Sequence, residues 1–307
     1  MPSKEKHRES LKSFVPSAGL TRRNRCRGRL PKGRLTASMI AISRAALGIA
    51  SAALTLAPAH AEMTSEELAK LSQNPIGNLI SVPFQSNTYL NVGQLKKTEE
   101  VLNIEPVIPI ELNKDWNIIT RTILPVVWQP ALFTGDSSVS GVGETQFSAF
   151  LSPAEPKGGL IWGVGPIAQI PTTSDSRLGS YRWGLGPTFV ALHLDKGDPW
   201  VYGVLLNNVW SVGSGAGGSY NNFLAQPFVN YNLPEGTYIN SSPIITANWK
   251  ADGGNQWTVP LGAGIGHIFH LGRLPVNVLA GAYYNVVKPD FAPNWNIQVQ
   301  AKLMFPK

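Results

Sequence analysis

Apolar and polar residues alternate along most of the chain after residue 78. The last segment is the clearest: Trp295, Ile297, Val299, Ala301, Leu303 and Phe305 alternate with Asn296, Gln298, Gln300, Lys302 and Met304. A period of 2 over 11 residues marks a strand with one apolar and one polar face. The same period predicts strands at 79–87, 101–112, 116–128, 143–152, 159–170, 181–193, 199–212, 221–233, 237–249, 256–269, 274–287 and 295–305. Twelve strands with so little chain between them predict an all-β wall, a closed antiparallel up-and-down barrel. No stretch after the leader is apolar for 18 residues, so a helical membrane span is excluded there.

The connections support a membrane-spanning barrel. In chain order they are 13, 3, 14, 6, 10, 5, 8, 3, 6, 4 and 7 residues long, so long and short alternate. Membrane barrels have short periplasmic turns and longer outer loops. The short set includes Asn113-Lys114-Asp115 and Pro234-Glu235-Gly236, both with turn chemistry. Both termini then fall on the periplasmic side. The nine tryptophans, Trp116, Trp128, Trp162, Trp183, Trp200, Trp210, Trp249, Trp257 and Trp295, lie on the apolar row near strand ends, as in an aromatic girdle. A soluble lipocalin-type barrel has the same period with its faces exchanged, so period alone leaves both open. Prolines inside the strands, among them Pro106, Pro125, Pro243 and Pro260, remove ladder donors and predict bulges or breaks.

Charge divides the chain. Residues 1–61 hold 12 Lys/Arg and 2 Asp/Glu, a net +10, whereas the remaining 246 hold 14 and 17, a net −3. The overall +7 therefore belongs to a leader and gives no reason to expect nucleic acid. The uncharged run Ala45–Ala57 follows Arg44 and ends in Ala59-His60-Ala61, the layout of a secretory signal peptide cleaved after Ala61. Met39 as the start would give a signal of ordinary length, with 1–38 either an over-extended reading of the gene or a basic, disordered extension. The one cysteine, Cys26, leaves with the leader, so the mature chain carries neither disulfides nor thiol chemistry. Residues 62–78 predict a short helix and linker. Thr64-Ser65-Glu66-Glu67 is a capping box, Asn74-Pro75 ends the helix, and the segment sits below the barrel or plugs it.

Candidate chemistry is sparse. Gly213-Ser214-Gly215-Ala216-Gly217-Gly218 matches G-x-G-x-x-G, but a strand follows it where a dinucleotide site needs a helix, so it reads as a glycine-rich loop. His267 and His270 fall on opposite faces of one strand and cannot readily share a metal. No cofactor, metal site or catalytic residue is predicted. The inner row offers the lead: Glu105, Glu111, Arg121, Glu144, Arg182, Asn207 and Lys302 as lumen or constriction candidates. The turn at 113–115 sets Arg121 opposite Val107, with Glu105 on the diagonal within reach of an ion pair. Such a pair either satisfies a partly buried cation or selects permeants by charge. Arg182 and Glu144 fall near the outer mouth.

Three stretches resemble one family: Pro75–Phe84, Ile119–Pro125, and Trp257–Gly266 through Tyr283-Tyr284-Asn285. It is the bacterial outer-membrane transporter family labelled "MetA-pathway of phenol degradation", sometimes mislabelled neuromedin U. The resemblance covers residues 74–307. It implies an outer-membrane barrel passing small solutes, aromatic ones among them, with no catalytic residues to carry over. The ending Gln298–Pro306 also looks like the C-terminal strand read by the barrel-assembly machinery, with Pro306-Lys307 added after the aromatic. The expected partners are outer-membrane lipid, a small solute and that machinery, and the loops 88–100 and 129–142 are expected to gate the mouth. The alternatives are a barrel hydrolase and a closed structural barrel.

Overall fold

The computed structural model describes residues 63–214 and 217–306. The leader, its cleavage site, and Gly215-Ala216 of the glycine-rich loop lie outside them. Helix α1 (Ser65–Ser72) precedes fifteen strands: β1 (Ile80–Val92), β2 (Lys97–Ile104), β3 (Val107–Glu111), β4 (Trp116–Gln129), β5 (Val139–Val142), β6 (Thr145–Pro153), β7 (Leu160–Ile170) and β8 (Trp183–Leu194). They continue as β9 (Trp200–Val212), β10 (Asn221–Asn232), β11 (Thr237–Ser241), β12 (Ile245–Asn248), β13 (Trp257–Leu271), β14 (Leu274–Val287) and β15 (Trp295–Phe305).

Three pairs of these strands are single staves with a local break, so the fifteen form twelve. Strands β2 and β3 run along the same two neighbours, as do β11 and β12, and β5 continues β6 along β4. All pairings are antiparallel between sequence neighbours, and β1 pairs with β15 to close the barrel. The breaks fall where proline removes a donor. One is Glu105-Pro106, another holds Pro243, and the Gly143-Glu144 break lies opposite Pro125. A register shift at Val259/Pro260 marks a fourth proline. Backbone bonds carry pairing through these sites: Glu105 N–H donates to Pro83, Thr122 to Pro106 and Gly143 to Pro125, at 2.9, 3.0 and 2.9 Å. In mid-wall Pro166 faces Pro187, and a Cβ on Gly165 or Gly186 would strike the carbonyl of Ala149 or Asn208. Glycine therefore permits the close backbone approach that the facing prolines require.

Ile80 and Phe305, the two ends of the wall, lie at one end, here the terminal end, because twelve staves return the chain to its starting side. Connections there are short, the opposite loop end carries 130–138, 171–182, 213–220, 249–256 and 288–294, and one loop-end connection, 93–96, is short. This corrects the expected 88–100 loop. Strand β1 runs on to Val92, β2 starts at Lys97, and left-handed residues Asn91, Gly93 and Lys96 make the turn. The polar run looked like a loop because a hairpin reaching beyond an apolar layer needs no apolar row. The 129–142 connection shrinks likewise, since Val139–Val142 pairs with the end of β4.

The outward row is apolar and exposed through mid-height, with Leu261 and Ile265 at 59% and 57% exposure. Tryptophans fringe it at both ends. Trp116, Trp162 and Trp200 lie at the terminal end, and Trp128, Trp183, Trp210, Trp249, Trp257 and Trp295 at the loop end. Edge contacts join them, Trp116–Trp162 across the intervening β6 at 5.9 Å and Trp249–Trp257 at 5.3 Å. The step from Trp200 to Trp210 covers about 33 Å of strand, which a tilt of roughly 40° shortens to about 25 Å, the height of a membrane barrel's apolar band. No helix among the described residues is long and apolar enough to cross a membrane.

Replacing mid-belt Ile265 with Arg should cost roughly 2–4 kcal/mol when the barrel is embedded in lipid. Guanidinium unfolding in vesicles measures this, and an unchanged midpoint would mean that the belt does not face hydrocarbon.

Candidate functional site: the lumen and its plug

The inward row encloses two voids that meet at one level. The outer, of about 190 Å³, runs toward the loop end, and the inner, of about 130 Å³, lies toward the terminal end. Gln85, Glu105, Arg121, Gln226 and Gln298 line both and mark the waist. The observed register sets Arg121 opposite Val107, and its Nη2 donates to Glu105 Oε2 at 2.8 Å. Glu105 is buried beside the Pro106 break.

The remaining candidates separate. Asn207 lines the outer chamber and Lys302 the inner one. Glu144 borders the outer chamber but is buried and taken up in structure. Its carboxylate accepts from Ser180 N–H, Ser180 Oγ and Gln169 Nε2, which ties the 171–182 loop to the wall. The same loop is held by Ser174 N–H on the Val142 carbonyl at 3.0 Å and Thr172 Oγ1 on Thr145 N–H at 2.9 Å. Within it, Arg177 donates from Nε and Nη2 to Asp175, which holds that carboxyl below the usual carboxylate range. Arg182 donates to the Gly213 and Gly217 carbonyls of a neighbouring loop and lines neither chamber. Glu111 is exposed at the terminal rim and also lines neither. Glu111 is the last paired residue of β3 and Arg182 precedes the first residue of β8, so both sit at the margins of the wall and line neither chamber.

The floor of the inner chamber is the N-terminal segment. Thr64 and Glu67 form the reciprocal capping box at 3.2 Å each, which starts the helix across the barrel end. Lys70 Nζ donates to the carbonyls of Asp195 and Lys196 in the β8–β9 turn at 3.1 and 2.8 Å. The chain then enters the barrel. Ser72–Pro75 lines the inner chamber. Gln73 and Asn232 exchange two side-chain hydrogen bonds of 2.7 and 3.2 Å. Lys302 Nζ donates to the Ser72 carbonyl at 2.6 Å, and Asn277 Nδ2 to Ser72 Oγ at 3.0 Å. Tyr238 OH donates to Asn277 Oδ1 at 2.9 Å. A Cβ on Gly266 would overlap the Tyr238 ring, so this glycine gives the ring its space. Of the two placements the sequence allows, the structure shows the plug.

Beyond the helix, Ile76 completes a buried inward cluster with Val107, Ile119, Phe150, Val190, Leu192, Val201, Leu205 and Phe228. The sequence reading missed this. Its signal is present: Phe189-Val190-Ala191-Leu192 and Val201-Tyr202-Gly203-Val204-Leu205-Leu206 carry apolar residues on both rows, as strands buried on both faces do. Also missed is Glu99, which is 1% exposed, paired in register with Tyr89, and without a hydrogen-bond partner for either carboxylate oxygen.

No protein-family model matches this chain, and neither does any curated protein. Solved structures do. An outer-membrane channel from Pseudomonas putida F1 aligns over 81% of this chain and 98% of its own, at 16% identity and a TM-score of 0.54. The NanC porin aligns over 74% and 100%, at 10% identity and a TM-score of 0.47. Outer membrane phospholipase A from Escherichia coli aligns over 80% and 99%, at 14% and 0.40. At such identities the first likeness is one of fold alone.

The Arg121–Glu105 pair should show a coupling energy of about 1–3 kcal/mol in a double-mutant cycle of Arg121→Ala and Glu105→Gln. Unfolding of the detergent-refolded barrel measures it, and additive single effects would mean that the pair contributes no stability.

Proposed function

We propose that this chain is an outer-membrane channel for passive passage of small solutes, held shut at its periplasmic end by its own N-terminal segment. One observation carries the reading. An open lumen with amide, hydroxyl and apolar lining runs from loop end to plug inside a wall whose outer face is an apolar belt between two tryptophan rings. A barrel built only for strength fills its lumen with packed side chains. Here the packed cluster occupies one sector near the plug, and around the open remainder amides and hydroxyls alternate with apolar side chains such as Ile123, Ile167 and Val209.

The address follows the same evidence. The leader has the layout of a secretory signal, and the C-terminal strand ends in the aromatic pattern read by the barrel-assembly machinery. The resemblance to the transporter family labelled for phenol degradation extends the solutes to small aromatic ones. Lipid is the partner of the belt, and no catalytic group or cofactor enters the reading. The Arg121–Glu105 waist is the constriction. The gate is the plug rather than the two loops, because Ser72–Pro75 forms the lumen floor.

Planar-bilayer recording tests this directly. The full mature chain should give rare or small current steps, and a chain lacking 62–75 should give larger and longer ones. A folded barrel silent in both forms would overturn the channel reading, and equal conductance in both would remove the plug as its gate.

A further inference from the structure

The inner chamber holds an imbalance of charge that the protein does not correct. Arg121 and Lys302 both face it, and among its described lining residues Glu105 is the only acid. Lys302 interacts electrostatically with both of the others. The guanidinium gives Glu105 one N–H, and its remaining donors have no protein acceptor among the described residues. Lys302 spends one hydrogen on the neutral Ser72 carbonyl. Two cations thus share one carboxylate in a largely enclosed space, where a lowered dielectric makes an unbalanced charge costly and an incoming anion favourable. Arginine's planar fork is suited to a carboxylate. Across the chamber Leu205 and Phe228 present apolar surface beside Gln226 and Asn230, and Val107 and Leu279 flank the two cations.

We infer that this chamber is a binding site for a small monocarboxylate with an apolar body, its carboxylate between Arg121 and Lys302 and its body against Phe228 and Leu205. The inference names a solute class for the channel proposed above and rests on that reading. Benzoate and its uncharged counterpart benzamide are the probes.

Equilibrium dialysis of radiolabelled benzoate against the full mature barrel in uncharged detergent reads binding without requiring conduction. The expected result is saturable uptake of one benzoate per chain that benzamide does not displace. Arg121→Gln and Lys302→Met should each weaken it at least tenfold. Glu105→Gln, which removes the competing carboxylate, should tighten it several-fold, and this variant keeps the test sharp if the other two do not fold, as judged by heat-modifiable gel migration. Displacement by benzamide, or a Glu105→Gln variant that binds no better than the parent, would overturn the site. A barrel that binds benzoate and passes no current would support the site and sink the channel; one that conducts and binds no benzoate would do the reverse.

Discussion

The structure depends on closure. Inside a hydrocarbon layer a backbone N–H or C=O without a partner costs several kcal/mol. An open twelve-stave sheet would expose two rows of them. The seam between β1 and β15 removes both edges at once through eleven register pairs, from Ile80–Phe305 to Leu90–Trp295. Every other feature is arranged within that constraint. The prolines at 106, 125, 243 and 260 sit at or opposite breaks and shifts, and backbone bonds on either side restore the ladder. Mid-wall close approach is left to glycine, at 165 and 186, where a side chain would strike a carbonyl.

Closure also sorts the two faces. Once every backbone group is satisfied within the wall, the outward row is free to be wholly apolar and the inward row to be polar. Amides dominate the inward row because they bond to one another across staves without the desolvation cost of charge. Gln300 to Gln85 at 2.9 Å, Asn240 to Asn230 at 2.7 Å and Asn296 to Asn87 at 3.3 Å form such a lining. The few charges present are therefore conspicuous. Glu144 is spent on a loop, and Glu105 on Arg121.

What could be read from the sequence follows from how local each feature is. Strand number and facing were legible because period 2 is written into every stave. The Arg121–Glu105 contact was legible because a three-residue turn fixes register within one hairpin. The extent of β1 and β2 was not, since a hairpin that outruns the apolar layer keeps its pairing and loses its pattern. The filled sector at β8 and β9 was written in doubled apolar rows, a signal that period 2 masks. The plug's place was not legible at all. Its helix is announced by a local capping box, but its docking rests on Asn232, Asn277 and Lys302, far away in the chain.

That remoteness sets an order of events. The plug's anchors are 125 to 230 residues downstream of the groups they hold. All of them belong to the second half of the barrel, so none exists in place until the later staves have formed. Loop-closure entropy makes such long-range contacts the last to form. The N-terminal segment, first in the chain, is thus the last to find its seat. A barrel still under assembly is hollow, and it becomes a stoppered vessel only when the wall around it is complete.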